Sequence, residues 1–178
     1  MEILLAMALA LAGPKPTATP RPQPFAVVEL FTSQGCASCL PADEILAGLA
    51  KKAASEGERV FALSYHVDSW DSLGWKDPYG NPAHAERQAH YARAMASGRI
   101  ATPQFVFNGR KSVTGADGAA VAREVRTALA SPVHARVEVR PEFRPDPRVI
   151  LVEYAVHGVS PESVLRLAVV EPGLSNKV

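Results

Sequence analysis

The spacing of hydrophobic and polar positions changes along the chain, and each spacing predicts a strand or a helix. A short β-branched and aromatic run, Phe25 to Phe31, predicts a buried strand. Apolar residues spaced four apart then predict a helix from Pro41 to about Gly57. Val60 to Val67 is again mostly hydrophobic, which is typical of a strand covered on both faces. The segment from Ala83 to Ala96 is rich in alanine and polar residues and predicts a surface helix.

The next part of the chain predicts a hairpin followed by a helix. Asn108-Gly109 lies between two short β runs, Gln104 to Phe107 and Lys111 to Thr114, and this dipeptide is a strong hairpin signal. Asp117 to Ala130 has apolar residues along one face of a helix. The alternation of strands and helices up to this point predicts an α/β layer architecture.

Beyond Ser131-Pro132 the composition changes and two-residue alternation predicts a small antiparallel β unit. The alternating segments are Val133 to Arg140, Val149 to His157 and, more weakly, Ser163 to Val170. We expect a partial sandwich, because three strands rarely form a complete one.

The N-terminus predicts export. Residues 3–12 form an apolar run that is too short to span a bilayer and suits the core of a signal peptide, here residues 1–12. Residues 13–24 contain five prolines and predict an extended linker. We therefore predict a domain at residues 25–130 and a C-terminal β unit at residues 131–178. A short buried or interfacial helix is the alternative for the apolar run.

Composition and charge exclude some function classes. The 178 residues are 47% hydrophobic and 21% charged, with a net charge of +1. No long run of like charge suggests a nucleic-acid partner. No other apolar run approaches membrane length, so we expect no membrane span in the mature protein.

The only two cysteines, Cys36 and Cys39, lie between the first predicted strand and the first predicted helix. Outside the cytosol a disulfide between them can persist. Cross-linking so short a loop contributes only about 2 kcal/mol, so a reactive pair explains the spacing better than a structural staple. The N–H groups of a helix start stabilise a thiolate. We therefore expect Cys36 to attack a substrate disulfide and Cys39 to resolve the mixed disulfide.

The sequence around the pair limits the expected activation of Cys36. If the helix begins at Cys36, Pro41 lies inside it and distorts its first turns. If the helix begins at Pro41, the cysteines lie in the preceding loop and Cys36 feels less of the helix dipole. No Lys or Arg lies between Thr32 and Leu46. We expect moderate thiolate stabilisation and a mild rather than strongly oxidising potential.

A second motif, ATPQFVFNG, begins at Ala101 and leads from Thr-Pro into a hydrophobic strand. Together with the strand, Cys-x-x-Cys and helix, it resembles the thioredoxin superfamily. The resemblance implies a mixed sheet with helices on both faces, a cis-proline at Pro103 beside the cysteines, and substrate binding by the backbone at Thr102. An ordinary proline at the start of a strand is the alternative. The chain departs from thioredoxin at Gly35, where thioredoxin has Trp, and in a longer connection with an extra helix before the motif.

Four segments in the same order resemble the DUF1223 family more closely: VVELFTSQGCASCLPAD, LSYHVDSWDSLGWKDP, ERQAHYARAM and ATPQFVFNG. The resemblance covers about Phe25 to Glu171 and implies an exported, thioredoxin-like bacterial protein, in a family without a settled function. Family members usually continue past a segment such as Leu174 to Lys177, so we expect the C-terminal unit to be incomplete.

These features predict a thiol–disulfide oxidoreductase of the bacterial envelope, periplasmic or secreted. Its expected catalytic pair is Cys36 and Cys39, and Thr102 and Pro103 would position the substrate. No cofactor is expected. The substrate would be a protein or small-molecule thiol or disulfide, and a redox partner is expected but not identified. The alternative is a non-catalytic thioredoxin-like module that binds a partner or handles Cu(I).

Three further residues at the end of the second strand are candidates to assist. Strand ends in such sheets face the active edge. His66 could donate to a thiolate or ligate a metal, Asp68 could assist proton transfer, and Trp70 could shape a substrate groove. Local capping and pairing, or packing on the core, are the alternatives for these residues. Two thiols and one His could suit Cu(I), but a structural zinc site needs about four ligands.

Overall fold

The elements follow one another in the predicted order through the first 130 residues. A computed structural model describes residues 23–96, 99–133, 135–145 and 149–174, so the predicted signal segment and residues 13–22 of the linker lie outside the described residues. The elements are β1 (Ala26–Thr32), α1 (Leu40–Glu56), β2 (Val60–His66), a 3-10 turn (Asp71–Leu73), α2 (Pro82–Ala94), β3 (Gln104–Phe107), β4 (Lys111–Thr114), α3 (Gly118–Leu129), β5 (Arg136–Arg144) and β6 (Val149–His157).

The first four strands form one mixed sheet in the order β2-β1-β3-β4. β1 pairs in parallel with β2, while β3 pairs antiparallel with both β1 and β4. On one face, α1 and α3 pack around buried residues such as Val28, Leu30 and Phe105. On the other face, α2 packs near Phe31 and Val106. This arrangement is a thioredoxin-like fold, as the sequence predicts.

Local signals in the sequence explain where these elements begin and end. Pro41 lies in the first turn of α1, where a missing N–H costs nothing. Gly57 ends α1 with a φ of 67°, a left-handed conformation that glycine adopts without strain. Asn108 and Gly109 turn the hairpin with φ values of 46° and 65°. The Asp117 carboxylate caps α3 by accepting a hydrogen bond from the Ala120 N–H at 2.9 Å.

A partly buried ion pair holds α2 against the sheet. Arg87 of α2 donates through Nη2 to the carboxylate of Glu29, a buried residue in the middle of β1. The guanidinium lies between the rings of Tyr65 and Tyr91, 5.3 and 5.1 Å from their centres. Burial, together with hydrogen bonding to Glu29, raises the pKa of Tyr91. The polar helix α2 is therefore attached to the sheet by charge and aromatic contacts as well as by apolar packing.

The C-terminal unit differs from its prediction. β5 and β6 form a two-stranded antiparallel sheet, and β5 begins at Arg136 rather than Val133. The predicted third strand, from Ser163 to Val170, is wrong, because this described segment forms no strand. Val164 in this segment is 78% exposed, so its side chain is not packed against a sheet or a core. Alternation indicates which side of a strand is apolar, but a strand also needs a partner for its backbone hydrogen bonds.

Proline is tolerated inside β5 because both strands of a two-stranded sheet are edge strands. Pro141 pairs with Val152 in the ladder and lies on the apolar face of the ribbon with Val139 and Phe143.

Over the described ranges, no helix is both long and apolar enough to cross a membrane.

Candidate functional site

The two cysteines form a disulfide between β1 and α1. Cys36 and Cys39 are bonded with their Cα atoms 5.4 Å apart. The Cys36 N–H donates to the Ser33 carbonyl at 3.1 Å, and the Cys39 N–H donates to the Cys36 carbonyl at 2.9 Å. α1 begins at Leu40 with Cys39 as its N-cap. Of the two helix starts considered from the sequence, the structure therefore has the later one, with Cys36 in the loop before the helix.

Both cysteines of the disulfide are buried, to slightly different extents. Cys39 is fully buried, and Cys36 is 3% exposed. Cys36 is thus the slightly more exposed of the two sulfur-bearing residues. Attack at Cys36 and resolution by Cys39 stay predictions.

The loop before β3 lies directly beside Cys36. The peptide bond between Thr102 and Pro103 is cis. The Cys36 Sγ lies 3.9 Å from the Thr102 carbonyl oxygen. Buried Gln88 of α2 fixes this loop, because its Nε2 donates to the Ala101 carbonyl at 2.7 Å and to Gln104 Oε1 at 2.8 Å. The structure thus brings the cysteines and the Thr-Pro segment together, and substrate binding by that segment stays a prediction.

Trp70 connects the cysteine loop with the Thr-Pro loop. Its indole N–H donates to Thr102 Oγ1 at 2.8 Å. A Cβ atom placed on Gly35 would lie only 3.2 Å from the Trp70 Cβ. Glycine before Cys36 therefore gives the Trp70 segment room to lie against the cysteine loop. Thioredoxin has Trp at the position of Gly35. Here the long connection after β2 carries Trp70, which packs against Gly35.

His66 pairs with an aspartate that sequence reasoning did not single out. His66 Nδ1 lies 2.7 Å from Asp77 Oδ2, and the Asp77 side chain is fully buried. The same oxygen accepts a hydrogen bond from the Gln34 N–H at 2.7 Å, and Oδ1 accepts one from the Tyr79 N–H at 2.9 Å. Burial opposes ionisation of Asp77, but these hydrogen bonds outweigh it and lower its pKa. Asp77 thus ties the loop before Cys36 to the end of β2.

A second acid near the cysteine pair lies on α1. Asp43 follows Cys39 by one helical turn, and its Oδ2 accepts a hydrogen bond from Thr32 Oγ1 at 3.1 Å. Burial raises the pKa of Asp43, and the hydrogen bond from Thr32 opposes that rise only in part. The charges of His66 and Asp77 also act on Asp43, in opposite directions. A half-buried carboxyl with a raised pKa is well suited to exchange a proton with a neighbouring group.

Asp68 is not brought into this network. Its backbone carbonyl accepts a hydrogen bond from the Asp71 N–H at 3.0 Å. Its carboxylate makes no hydrogen bond or ion pair with any residue that the structure describes. Within the same residues, no group of three or more His, Cys, Asp or Glu side chains is arranged to hold a metal ion.

Comparison with known families places the chain in one of them. A family model described as "Protein of unknown function (DUF1223)" matches residues 27–178. The chain belongs to the DUF1223 family. A search of curated proteins finds no match.

Solved structures similar to this DUF1223 protein include a longer bacterial protein and two thioredoxins. A crystal structure of an Agrobacterium tumefaciens protein is 40% identical, with a TM-score of 0.56 over 71% of this chain and 55% of the other. This chain thus spans about half the length of that relative. A Malassezia sympodialis thioredoxin is 20% identical over 61% of this chain and 78% of its own, with a TM-score of 0.38. The Drosophila thioredoxin Deadhead is 21% identical over 58% and 80%, with a TM-score of 0.38.

Proposed function

We propose that this protein is a thiol–disulfide oxidoreductase of the bacterial envelope. One observation carries the proposal: a Cys-x-x-Cys disulfide lies at the start of α1, and the Sγ of its outer cysteine is 3.9 Å from the Thr102 carbonyl of the cis Thr-Pro loop. The disulfide therefore faces a backbone segment that can pair with an extended substrate chain. The thioredoxin-like fold and the disulfide are both consistent with redox function.

The reaction is a pair of thiol–disulfide exchanges. In the reduced protein, the Cys36 thiolate attacks one sulfur of a substrate disulfide, and the other substrate sulfur leaves as a thiol after taking a proton. The Cys39 thiolate then attacks Cys36 Sγ and releases the second substrate sulfur. The substrate gains two electrons and two protons, and the protein becomes the Cys36–Cys39 disulfide. The reverse sequence oxidises a substrate dithiol.

We also propose that the chain is exported to the periplasm or secreted. Support comes from the apolar segment at residues 3–12 and the proline-rich linker that follows it, both read from the sequence. An oxidising compartment allows the disulfide to persist between turnovers.

The reduction potential of the Cys36–Cys39 pair tests the proposed function. We expect a value closer to about −250 mV than to about −120 mV, because Cys36 lies before the helix and no cation lies between Thr32 and Leu46. The measurement equilibrates the protein without residues 1–12, the predicted signal peptide, in glutathione or dithiothreitol buffers and quantifies the reduced fraction by alkylation. A pair that does not equilibrate with either buffer would contradict the proposal. Stoichiometric Cu(I) uptake that is lost in His66→Ala would instead favour a metal-handling module.

Asp43 is expected to accept the proton that Cys39 loses before it attacks Cys36. Asp43→Asn removes a carboxyl with a raised pKa one turn after Cys39, so we expect the resolving step to slow by about 10- to 100-fold. The acid-side ionisation should also disappear from the pH profile of that step. Stopped-flow measurement of mixed-disulfide resolution from pH 4 to 9 checks both effects.

Glu44→Gln is the matched control, because Glu44 is the neighbouring residue but is exposed. It should leave the resolving rate and its pH profile unchanged. An Asp43→Asn profile that overlays the wild-type profile would show that another group takes the proton.

A further inference from the structure

A large cavity lies at the end of the sheet opposite the disulfide. Phe25, Val27 and Glu29 line it from β1 and the residue before that strand, and Asn108 and Gly109 line it from the turn after β3. Its volume is about 760 Å³, within the range of about 300–1,000 Å³ that is usual for small-molecule sites. Of the described residues that line it, none belongs to the cysteine loop or the Thr-Pro loop. The cavity is therefore separate from the redox pair.

An incompletely bonded ion pair forms part of the cavity wall. Glu29 and Arg87 both line the cavity, and Arg87 Nη2 donates to Glu29 Oε1. Glu29 Oε2 and Arg87 Nε are buried as well, but neither makes a hydrogen bond with any residue that the structure describes. The Glu29 side chain is only 4% exposed, so bulk water does little for this oxygen. A buried polar atom without a partner is costly, so a ligand that supplies the missing donor and acceptor is stabilised there.

The walls beside this ion pair are aromatic. The rings of Phe25 and Phe61 meet edge to face with their centres 6.3 Å apart, and both rings line the cavity. Phe61 is 52% exposed, so its ring is not used up by the core. Tyr91, whose hydroxyl accepts a hydrogen bond from Arg87 at 2.8 Å, also lines the cavity. Rings on a cavity wall favour an aromatic ligand, because aromatic pairs bury a large apolar area in a defined geometry.

Cations outnumber acids around the cavity. Among the described residues that line it, five are cations and two are acids, namely Arg59, Arg87, Arg110, Lys111 and Arg136 against Glu29 and Glu124. Three of these cations, Arg59, Arg110 and Lys111, are exposed and therefore lie where the cavity meets solvent. A surface with this excess of positive charge attracts an anionic group.

We propose that this cavity binds a small aromatic acid that carries a phenolic hydroxyl. The hydroxyl donates its proton to Glu29 Oε2, and its oxygen can accept from Arg87 Nε. The ring packs against Phe25 and Phe61, and the carboxylate faces the exposed cations. The inference goes beyond the proposed redox function and does not depend on it, because no lining residue belongs to the loops around the disulfide.

Three small probes test the proposal by isothermal titration calorimetry. The first, 3-(4-hydroxyphenyl)propionate, has the hydroxyl, the ring and the acid. The second, 3-phenylpropionate, lacks the hydroxyl, and the third, tyramine, carries an ammonium group in place of the acid. We expect the hydroxy acid to bind at one site and the other two probes to bind at least about tenfold more weakly. The first loses a hydrogen bond to a charged group, and the second places like charges together.

Variants connect the binding with the cavity. Phe61→Ser removes a half-exposed ring, and the double variant Arg110→Gln, Lys111→Gln removes two exposed cations. Each should weaken binding of the hydroxy acid about tenfold. Glu29→Gln replaces the charged acceptor with a neutral amide and should reduce the preference for the hydroxy acid over 3-phenylpropionate. That preference is a ratio within one variant, so a change in stability does not obscure it.

Two exposed residues outside the cavity provide matched controls. Val164→Ser removes an exposed apolar side chain, and Lys51→Gln removes an exposed cation. Both variants should bind the hydroxy acid as tightly as the wild type does.

Three results would overturn the proposal. No saturable binding of the hydroxy acid at millimolar concentrations would mean that ordered water alone completes the ion pair. Equal affinity for the hydroxy acid and 3-phenylpropionate would reject the role of Glu29. Binding that survives both Phe61→Ser and the double cation variant would place the ligand outside this cavity.

Discussion

Replacing Cys39 with serine is expected to stop the reaction at the mixed disulfide between Cys36 and the substrate. Cys36 is 3% exposed and Cys39 is fully buried, so we expect attack at Cys36 to continue in the variant. Release of the substrate from Cys36 then depends on a second thiol from solution, because the Cys39 thiol is absent. We expect turnover to fall by about a hundredfold or more, because an oriented intramolecular attack is lost. Mass spectrometry after reaction with glutathione disulfide should show one glutathionyl group on Cys36.

Cys36→Ser separates the roles of the two cysteines. It should lose turnover as well, but it should form little adduct, since the remaining thiol has no surface exposure. Ala37→Ser is the control inside the same loop, because Ala37 is exposed and the change introduces no thiol. Equal adduct formation at Cys36 and Cys39, or turnover preserved in either serine variant, would contradict the assigned order of attack and resolution.

Elements set by local signals could be predicted from the sequence. The helices begin and end within a few residues of their predicted positions, because proline, aspartate and glycine act on the backbone beside them. The hairpin at Asn108-Gly109 is confirmed for the same reason, since both residues adopt positive φ values. The family assignment is also confirmed, by a family-model match over most of the chain.

Contacts between residues far apart in sequence could not be predicted. Asp77 lies in a turn-rich segment with several other acids, and nothing local distinguishes it from Asp68 or Asp71. Its importance comes from burial and from a hydrogen bond to the N–H of Gln34, 43 positions away. Asp43 lies in the first turn of a helix, where acids are common. Only its contact with Thr32 and its raised pKa single it out.

The network below the disulfide gives the long connection after β2 a structural role. Trp70 lies against Gly35 and binds Thr102, while Asp77 binds the backbone at Gln34. The connection thus holds the cysteine loop from two sides and reaches the Thr-Pro loop as well. In this chain, residues outside the Cys-x-x-Cys motif set the position of the loop that carries it.

Replacing Asp77 with alanine is expected to lower the free energy of unfolding by about 3 kcal/mol or more. The variant removes the carboxylate that accepts hydrogen bonds from the N–H groups of Gln34 and Tyr79, and a hydrogen bond to a charged group contributes about 1.5–3 kcal/mol. His66 loses its partner at the same time. Urea unfolding of the oxidised protein at pH 7 measures the change. Asp68→Ala is the control, and it should cost much less, since no described residue binds that carboxylate.

The pH dependence of the free energy of unfolding tests whether the ionised Asp77 carboxylate is the source of this stabilisation. The pKa of Asp77 is lowered in the folded protein, so its stabilisation is fully present above the ordinary carboxyl pKa of about 3.9. That stabilisation is lost as pH falls through the lowered folded value. The difference between wild type and Asp77→Asn, which keeps the shape of the side chain but not its charge, should therefore be largest near neutral pH and shrink below about pH 4. A difference that stays constant from pH 7 to pH 3 would mean that Asp77 acts through shape and neutral hydrogen bonds. The idea that its negative charge stabilises the cysteine loop would then be wrong.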